Sequence, residues 1–335
     1  MMLVSIIITN YNYGAYLDKC IDSALNQSWP DKEILVVDDG STDQSRRIIK
    51  SYSESITAIF KENCGHCSAA NTGFEASSGD IVIFLDSDDY LLDGAVDALA
   101  EPFTRDASIS KCQGYLTVID SAGTRTGRTI PRKLCPSGNY RDDILWQGPD
   151  AYSFTYTSGS AWSRRFLCQV MPLPIPEFKR MGVDGYLNTV STLFGRTEAV
   201  NRNVAAYRIH GGNLGPVNTS FTAESLRQRI RLARITQEHL LSWAKRLEYP
   251  LPADVSKRWN RGWRYSLLSY SLNAMEESSQ ITTFAEFVLS PFRSCHTNRV
   301  RALLLSALLC VVWFLPRRAG LRLARRMLKL PRTAL

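Results

Sequence analysis

The chain has 335 residues, 44% hydrophobic and 21% charged, which excludes a fibrous, low-complexity or disordered chain. Its formal charge of +8 is concentrated at one end: residues 287–335 hold ten Lys or Arg and no Asp or Glu, which leaves the remainder with two negative charges. The basicity thus belongs to a C-terminal segment and says little about the main domain, and the length allows one large domain with an appendage, or two domains.

Val4–Thr9 reads as a first strand, followed by the loop Asn10-Tyr-Asn-Tyr-Gly14 and a helix from Tyr16 to Gln27 with Leu17, Ile21, Ala24 and Leu25 at helical spacing. Glu33–Val37 is a second strand running into Asp38-Asp39-Gly40-Ser41-Thr42-Asp43, where Gly40 supplies a turn and Ser41 or Thr42 can cap the next helix. Ala58–Phe60 is a short third strand, Ser68–Ser77 a helix, and Ile81–Asp86 a strand apolar enough to be covered on both faces. Strands alternating with helices at this spacing predict a parallel α/β sheet. Residues 110–180 are rich in Gly, Pro, Thr and Tyr and predict short strands and long loops. Beyond Asn213 the pattern is helical, with stripes at Leu226, Ile230, Ala233 and Leu240, and at Trp259, Trp263, Leu267 and Tyr270. These patterns place a catalytic domain over 1–213 and a helical region over 214–335, with a basic tail over about 299–335.

Asp86, Asp88 and Asp89 crowd the carboxyl end of the fourth strand, where open α/β sheets bind ligands. Such carboxylates repel one another unless a cation joins them, and Mg²⁺ or Mn²⁺ bridging to substrate phosphates is the simplest candidate. A turn that caps the next helix is the alternative. Neither GxGxxG after the first strand nor GxxxxGK[ST] is present, which argues against a dinucleotide enzyme and a P-loop ATPase. Eight cysteines are scattered along the chain, and the apolar run Leu3–Ile8 is too short for a secretory leader and has no basic residue before it. Free thiols in a reducing cytosol are the expectation. Cys64-Gly-His-Cys67 has the spacing of a redox or zinc half-site, but no second ligand pair stands out.

Four segments together, Val4–Asn12, Glu33–Asp43, Asn63–Gly65 with Ala70-Asn-Thr-Gly73, and Phe84–Asp89, resemble the family 2 glycosyltransferases of GT-A fold. The resemblance implies a Rossmann-like, mostly parallel sheet flanked by helices, here with a C-terminal helical extension. It implies that Thr9, Tyr11 and Asp39 contact the nucleobase and ribose, with Asn71 on a helix facing the site. Asp86 would reach the ribose or the metal, and Asp88 would ligate Mn²⁺ or Mg²⁺. Asp89 is either a supporting residue or a helix cap.

Tyr207-Arg-Ile-His210 resembles a further block of that family, in which His210 would ligate the metal or bond to the diphosphate. Asp184 is the candidate general base, needed to take the acceptor hydroxyl's proton as that oxygen attacks the anomeric carbon. The family often carries Glu before this acid, where this chain has Val183; Glu177 is the rival base. Thr157–Arg165 resembles the segment lining the acceptor side, with Gly159, Ser160 and Trp162 as candidates and Trp162 available to stack on a sugar.

Ala302–Leu315 is nearly all apolar but shorter than the 20 or so residues a spanning helix requires. Seven basic residues from Arg317 to Arg332, interleaved with Leu321, Leu323, Met327 and Leu328, suggest a segment lying on an anionic membrane surface, with packing against the catalytic domain as the alternative. The resulting expectation is an inverting, metal-dependent enzyme that moves a sugar from a nucleoside diphosphate sugar, with UDP favoured. Its acceptor would be a glycan or lipid-linked hydroxyl in cell-surface polysaccharide synthesis, on the cytoplasmic face of a membrane, and no nucleic acid is involved. Two alternatives stay open: a membrane-associated, non-catalytic glycan-binding protein of the same fold, and a processive synthase. Gln228-Arg-Ile-Arg-Leu232 resembles the Gln-x-x-Arg-Trp signature of the latter, but Leu stands where that signature has Trp.

Overall fold

A computed structural model describes residues 2–174, 183–210, 222–253, 255, 259, 267–272 and 299–328. The chain divides into two compact units, residues 1–139 with 153–211, and residues 140–152 with 212–335. The first unit is built on one mixed sheet. In chain order its strands are β1 (Val4–Asn10), β2 (Lys32–Asp38), β3 (Thr57–Phe60), β4 (Ile81–Asp86), β5 (Tyr90–Leu91), β6 (Ile109–Ile119), β7 (Arg125–Ile130), β8 (Ser160–Ser163) and β9 (Arg196–Arg208). The spatial order is β3-β2-β1-β4-β8-β6-β9-β5, with β7 added to β6.

Strands β1 to β4 pair in parallel. Every residue of β1 and all of β4 but Asp86 are buried, as two covered faces require. The register sets Asn10 opposite Asp38 and Thr9 opposite Asp86, so the polar ends of three strands form one edge. Helices α1 (Gly14–Leu25), α2 (Ser45–Ser51) and α3 (His66–Ala76) follow strands of this half, and α4 (Ala95–Arg105) follows β5. Gly73 lets α3 lie close on the sheet, since a Cβ there would overlap Ile7 Cγ2 and come within 3.2 Å of Val37 Cγ2. The turn after β2 needs Gly40, whose φ is +80° and whose Cβ would sit 2.7 Å from the Asn63 amide.

Beyond β4 the pairing changes. β8 runs antiparallel to β4 and β6, while β6 and β9 run parallel along most of their lengths. Next in chain order are α5 (Arg141–Gln147), which belongs to the second unit, then α6 (Arg164–Val170) and α7 (Val183–Val190) in the first unit. Ser163 caps α6 by accepting from the Phe166 amide. Neither Ser41 nor Thr42 caps α2; Asp43 accepts from the Ser45 amide at 2.9 Å and also from Gly14 N.

In the second unit, α8 (Ala223–Arg246) opens with a reciprocal Thr222–Ser225 capping box, and α9 (Arg299–Phe314) and α10 (Arg317–Leu328) pair with each other. Leu226, Leu267, Leu309, Val312, Leu321 and Ala324 form its core. Trp259, also buried, donates to Leu145 O and shields Gly148. No helix among the described residues is long and apolar enough to cross a membrane.

Candidate active site

The edge made by β1, β2 and β4 is held by side chains that bond to one another. Asn10 donates to Asp38 Oδ1 at 3.0 Å and to Ser41 Oγ, and Asp38 Oδ2 accepts from the Ser41 amide and from Arg46. Asp38 thus shapes the turn, which leaves Asp39 to face the loop after β3. Asp39 accepts from Lys61 Nζ at 2.6 Å and from the amides of Cys64 and Gly65 at 3.0 and 2.7 Å. A carboxylate offers about four acceptor positions, so one remains for a ligand. Beside it opens a cavity of about 600 Å³ lined by Gly40, Arg46, Phe60, Lys61, Glu62 and Asn63. Tyr11 is 45% exposed, while Thr9 is buried and its hydroxyl has no partner among the described residues.

The three acids after β4 have different surroundings. Asp89 is buried, accepting from Ser158 Oγ at 2.6 Å and from the Arg208 amide at 2.9 Å. It caps no helix; it ties β4 to the end of β9. Burial, and then the charges of Asp88 and Asp86, push its carboxyl well above the usual range. Arg208 donates to Asp88 O and lies over the Tyr16 ring at 4.5 Å. Two residues on, His210 Nε2 lies 2.9 Å from Asp88 Oδ2, with the Tyr13 and Tyr16 rings each 5.3 Å from the imidazole. This arrangement can be tested against a metal. Octahedral bonds of about 2.1 Å put adjacent ligand atoms about 3 Å apart, a spacing this pair meets. Among the described residues no three His, Cys, Asp or Glu side chains form a complete cage. A hard cation held here would therefore complete its shell from substrate oxygens or water, the usual mode for Mg²⁺ with phosphates. Burial, and then Asp88 and Asp86, raise the Tyr13 hydroxyl, so Tyr13 stays a neutral wall of this site.

Asp184 lies in the first turn of α7, partly covered. Burial first, and then the charge of Asp86, push its carboxyl up to about 6, against the opposing pull of His66 and Lys111. His66 was not a candidate from sequence, yet its Nε2 lies 3.1 Å from Asp86 Oδ1 at the start of α3. Burial works against an imidazolium there, but Asp86, then Asp184 and Asp88, outweigh it and the net shift is upward. Lys111, fully buried on β6, donates to Gln113 Oε1 at 2.9 Å. Burial pushes its amine well down while Asp184 pulls it up. One turn beyond Asp184, Asn188 donates to Thr155 O, and the Thr155 amide bonds to Gln113. Thr155 thus links α7 to β6 through polar groups. Gln113 Nε2, Asn188 Oδ1 and the hydroxyls of Thr155, Ser160 and Thr197 are buried without partners among the described residues. Lys111 carries no motif, and His66 lies in Cys64-Gly-His-Cys67, whose spacing points to redox or zinc chemistry, so only folding brings the two near Asp184. The rival base Glu177 lies outside the described residues.

The acceptor-side candidates are not on a surface. Gly159 and Ser160 are buried, and the fully buried Trp162 packs its ring 5.7 Å from Phe84. Trp162 is thus a core residue at the β4–β8–β6 junction rather than a sugar-stacking platform. Apolar β4 needs a large partner where the antiparallel strand joins it. Asn71 uses its amide on one backbone unit, donating to Leu173 O at 3.0 Å and accepting from Leu173 N at 2.7 Å. It anchors the chain after α6 instead of offering a free amide. Cys67 is buried, its thiol pushed up by that burial and by Asp184 to about 12.

The profile of Glycosyl transferase family 2 matches residues 5–166. An uncharacterized glycosyltransferase of Nostoc sp. is 31% identical over 301 residues, which is 88% of this chain and 90% of that protein. Among solved structures, Staphylococcus aureus TarS in complex with UDP-GlcNAc superimposes with a TM-score of 0.56 at 17% identity, over 98% of this chain and 91% of that one. The mannosyltransferase PcManGT of Pyrobaculum calidifontis, in complex with GDP-Man and Mn²⁺, gives 0.50 at 15% identity, over 98% and 87%. Sharing the fold of these enzymes and the sequence of the Nostoc protein over nearly its whole length, the chain belongs to glycosyltransferase family 2 and is a glycosyltransferase of GT-A fold.

Proposed function

We propose that this enzyme is an inverting, divalent-metal-dependent transferase that uses a nucleoside diphosphate sugar, UDP-linked in the first instance. Its acceptor would be a hydroxyl of a glycan or lipid-linked carrier in cell-surface polysaccharide assembly, at the cytoplasmic face of a membrane. The observation that carries the reading is the Asp88–His210 pair, 2.9 Å apart at the carboxyl edge of the parallel strands, with Asp184 electrostatically coupled to the same cluster through Asp86. The UDP-GlcNAc and Mn²⁺ complexes of the structural neighbours support the donor class and the metal.

In this reading Asp39 and Tyr11 hold the nucleoside, Asp39 with its remaining acceptor position and Tyr11 with an exposed ring. Asp88 and His210 would hold Mn²⁺ or Mg²⁺, which would supply positive charge to neutralise the departing diphosphate. Asp184 accepts the proton of the acceptor hydroxyl as its oxygen attacks the anomeric carbon. A carboxyl raised to about 6 is well matched to this task, being mostly ionised at neutral pH yet more basic than a free Asp. The single displacement inverts the anomeric centre. Gly159, Ser160 and Asn71 act as scaffold under this reading, and acceptor contacts fall to other residues.

Calorimetric titration with UDP, GDP and dTDP, each with Mn²⁺ and with EDTA, tests the donor assignment. Metal-dependent binding of UDP is the expected result. Binding of none of the three in Mn²⁺ would reject it.

A further inference from the structure

The two helices at the end of the second unit present a surface that the catalytic reading does not use. Helix α9 turns Leu309 and Val312 into the unit's core, where Tyr270 donates to Val312 O at 3.1 Å. Its opposite side is apolar too. Leu303, Leu304, Leu308, Val311 and Phe314 are 60, 62, 41, 48 and 76% exposed. At about 100° per residue these five fall within an arc of about 140°, a continuous stripe rather than scattered exposed residues. Helix α10 is amphipathic in a different way. Leu321 and Ala324 face the core, while Arg318, Arg322 and Arg326, at successive four-residue steps, are exposed. Gly320 permits the close return of α10 against α9, since a Cβ there would lie 2.9 Å from Val312 O.

Between Arg299 and Leu328 there are seven arginines and no acid. The apolar stripe is thus joined to a purely cationic row, which a neutral protein surface would not match. Helix α9, at 16 residues, spans about 24 Å, less than the hydrocarbon core of about 30 Å. It fits a helix lying in the plane of the interface, not across it.

We propose that α9 and α10 form a monotopic docking hairpin for an anionic phospholipid bilayer, with the Leu304–Leu308–Val311 stripe among the acyl chains and the Arg318–Arg322–Arg326 row on the phosphates. This deepens the membrane placement in the preceding reading and rests on it for its purpose, but not on the donor site. The two can fail separately.

The test is flotation of the full-length protein, without nucleotide, on vesicles of phosphatidylcholine alone and of equal parts phosphatidylcholine and phosphatidylglycerol. Wild type should float with the anionic vesicles and be released in part by salt. Arg318→Gln, Arg322→Gln and Arg326→Gln together should weaken partitioning about a hundredfold and reduce its salt dependence. Leu304→Gln, Leu308→Gln and Val311→Gln together should abolish the salt-resistant fraction. Circular dichroism and an unchanged Tm verify that both variants remain folded. Equal flotation of wild type and the folded variants would overturn the proposal, as would no flotation by wild type. A concentration-dependent dimer that the Gln stripe variant dissolves, without vesicle binding, would assign the stripe to a second copy instead and also overturn it.

Discussion

Replacing Asp184 with Asn separates catalysis from stability in a way that tests the electrostatics of the site. The carboxyl is raised from 3.8 to about 6, chiefly by burial and by Asp86, with His66 and Lys111 opposing. A folded-state value above the unfolded one means the protonated form favours the fold. That contribution is complete below about pH 4 and is lost as pH rises through about 6. Two pH units correspond to at most about 3 kcal/mol of strain at pH 7. Asp184 is partly exposed, so solvent screening brings the expected gain from Asp184→Asn to about 1 kcal/mol. This is a rise in Tm of about 2–4 °C at pH 7, vanishing at pH 4. Unfolding should be followed in EDTA, because a cation near Asp88 would lower the Asp184 value and mask the effect. In transfer assays the variant should lose about a hundredfold or more while keeping nucleotide affinity. Wild-type kcat/KM should fall about tenfold per pH unit once the pH drops below the Asp184 value, which the bound cation sets lower than in EDTA. Surviving transfer would move the base elsewhere, with Glu177 next in line. A variant less stable than wild type at pH 7 would refute the burial argument itself.

Three further outcomes are expected. Asp88→Asn should abolish Mn²⁺-dependent UDP binding in calorimetry while leaving Tm within a degree or two; unchanged affinity would remove Asp88 from the metal assignment. Asp89→Ala leaves the Ser158 hydroxyl and the Arg208 amide without their acceptor, costing about 1–3 kcal/mol in denaturant unfolding. It should also weaken metal-dependent binding through misplaced His210, with Asp89→Asn recovering part of both; stability loss with binding intact would make Asp89 purely structural. Gly73→Ala forces α3 off β1 against Ile7, with an expected loss of about 1–3 kcal/mol; a neutral result would mean that the helix shifts freely.

Much of the first unit was legible in the sequence because its strands are buried on both faces and its turns are polar. The expected Val4–Thr9, Glu33–Val37 and Ile81–Asp86 strands correspond to β1, β2 and β4 to within one residue at each end. Helix α3 starts two residues earlier than its apolar spacing suggested, since His66 and Cys67 extend it beyond the loop that Gly65 ends. Residues 110–180 were opaque for a physical reason. Strand β6 lies between β8 and β9 and carries Lys111 and Gln113 inward, so its polar, buried face shows no apolar alternation to read. Trp162 misled because an aromatic beside small polar residues suits a sugar platform and a sheet junction equally well; burial alone separates them.

By itself the sequence determined the family, the α/β alternation and the acidic strand ends, because these rest on local pattern: apolar runs, turn glycines and carboxylates within a few residues of one another. Tertiary structure decided which of those carboxylates does what. Asp88 meets His210 across 122 positions of chain, Asp89 is consumed by Ser158 and Arg208, and His66 is set among Asp86, Asp184 and Asp88. The charge state and hydrogen-bonding capacity of a carboxylate depend on burial and on neighbours brought from elsewhere in the chain, and a linear sequence carries neither.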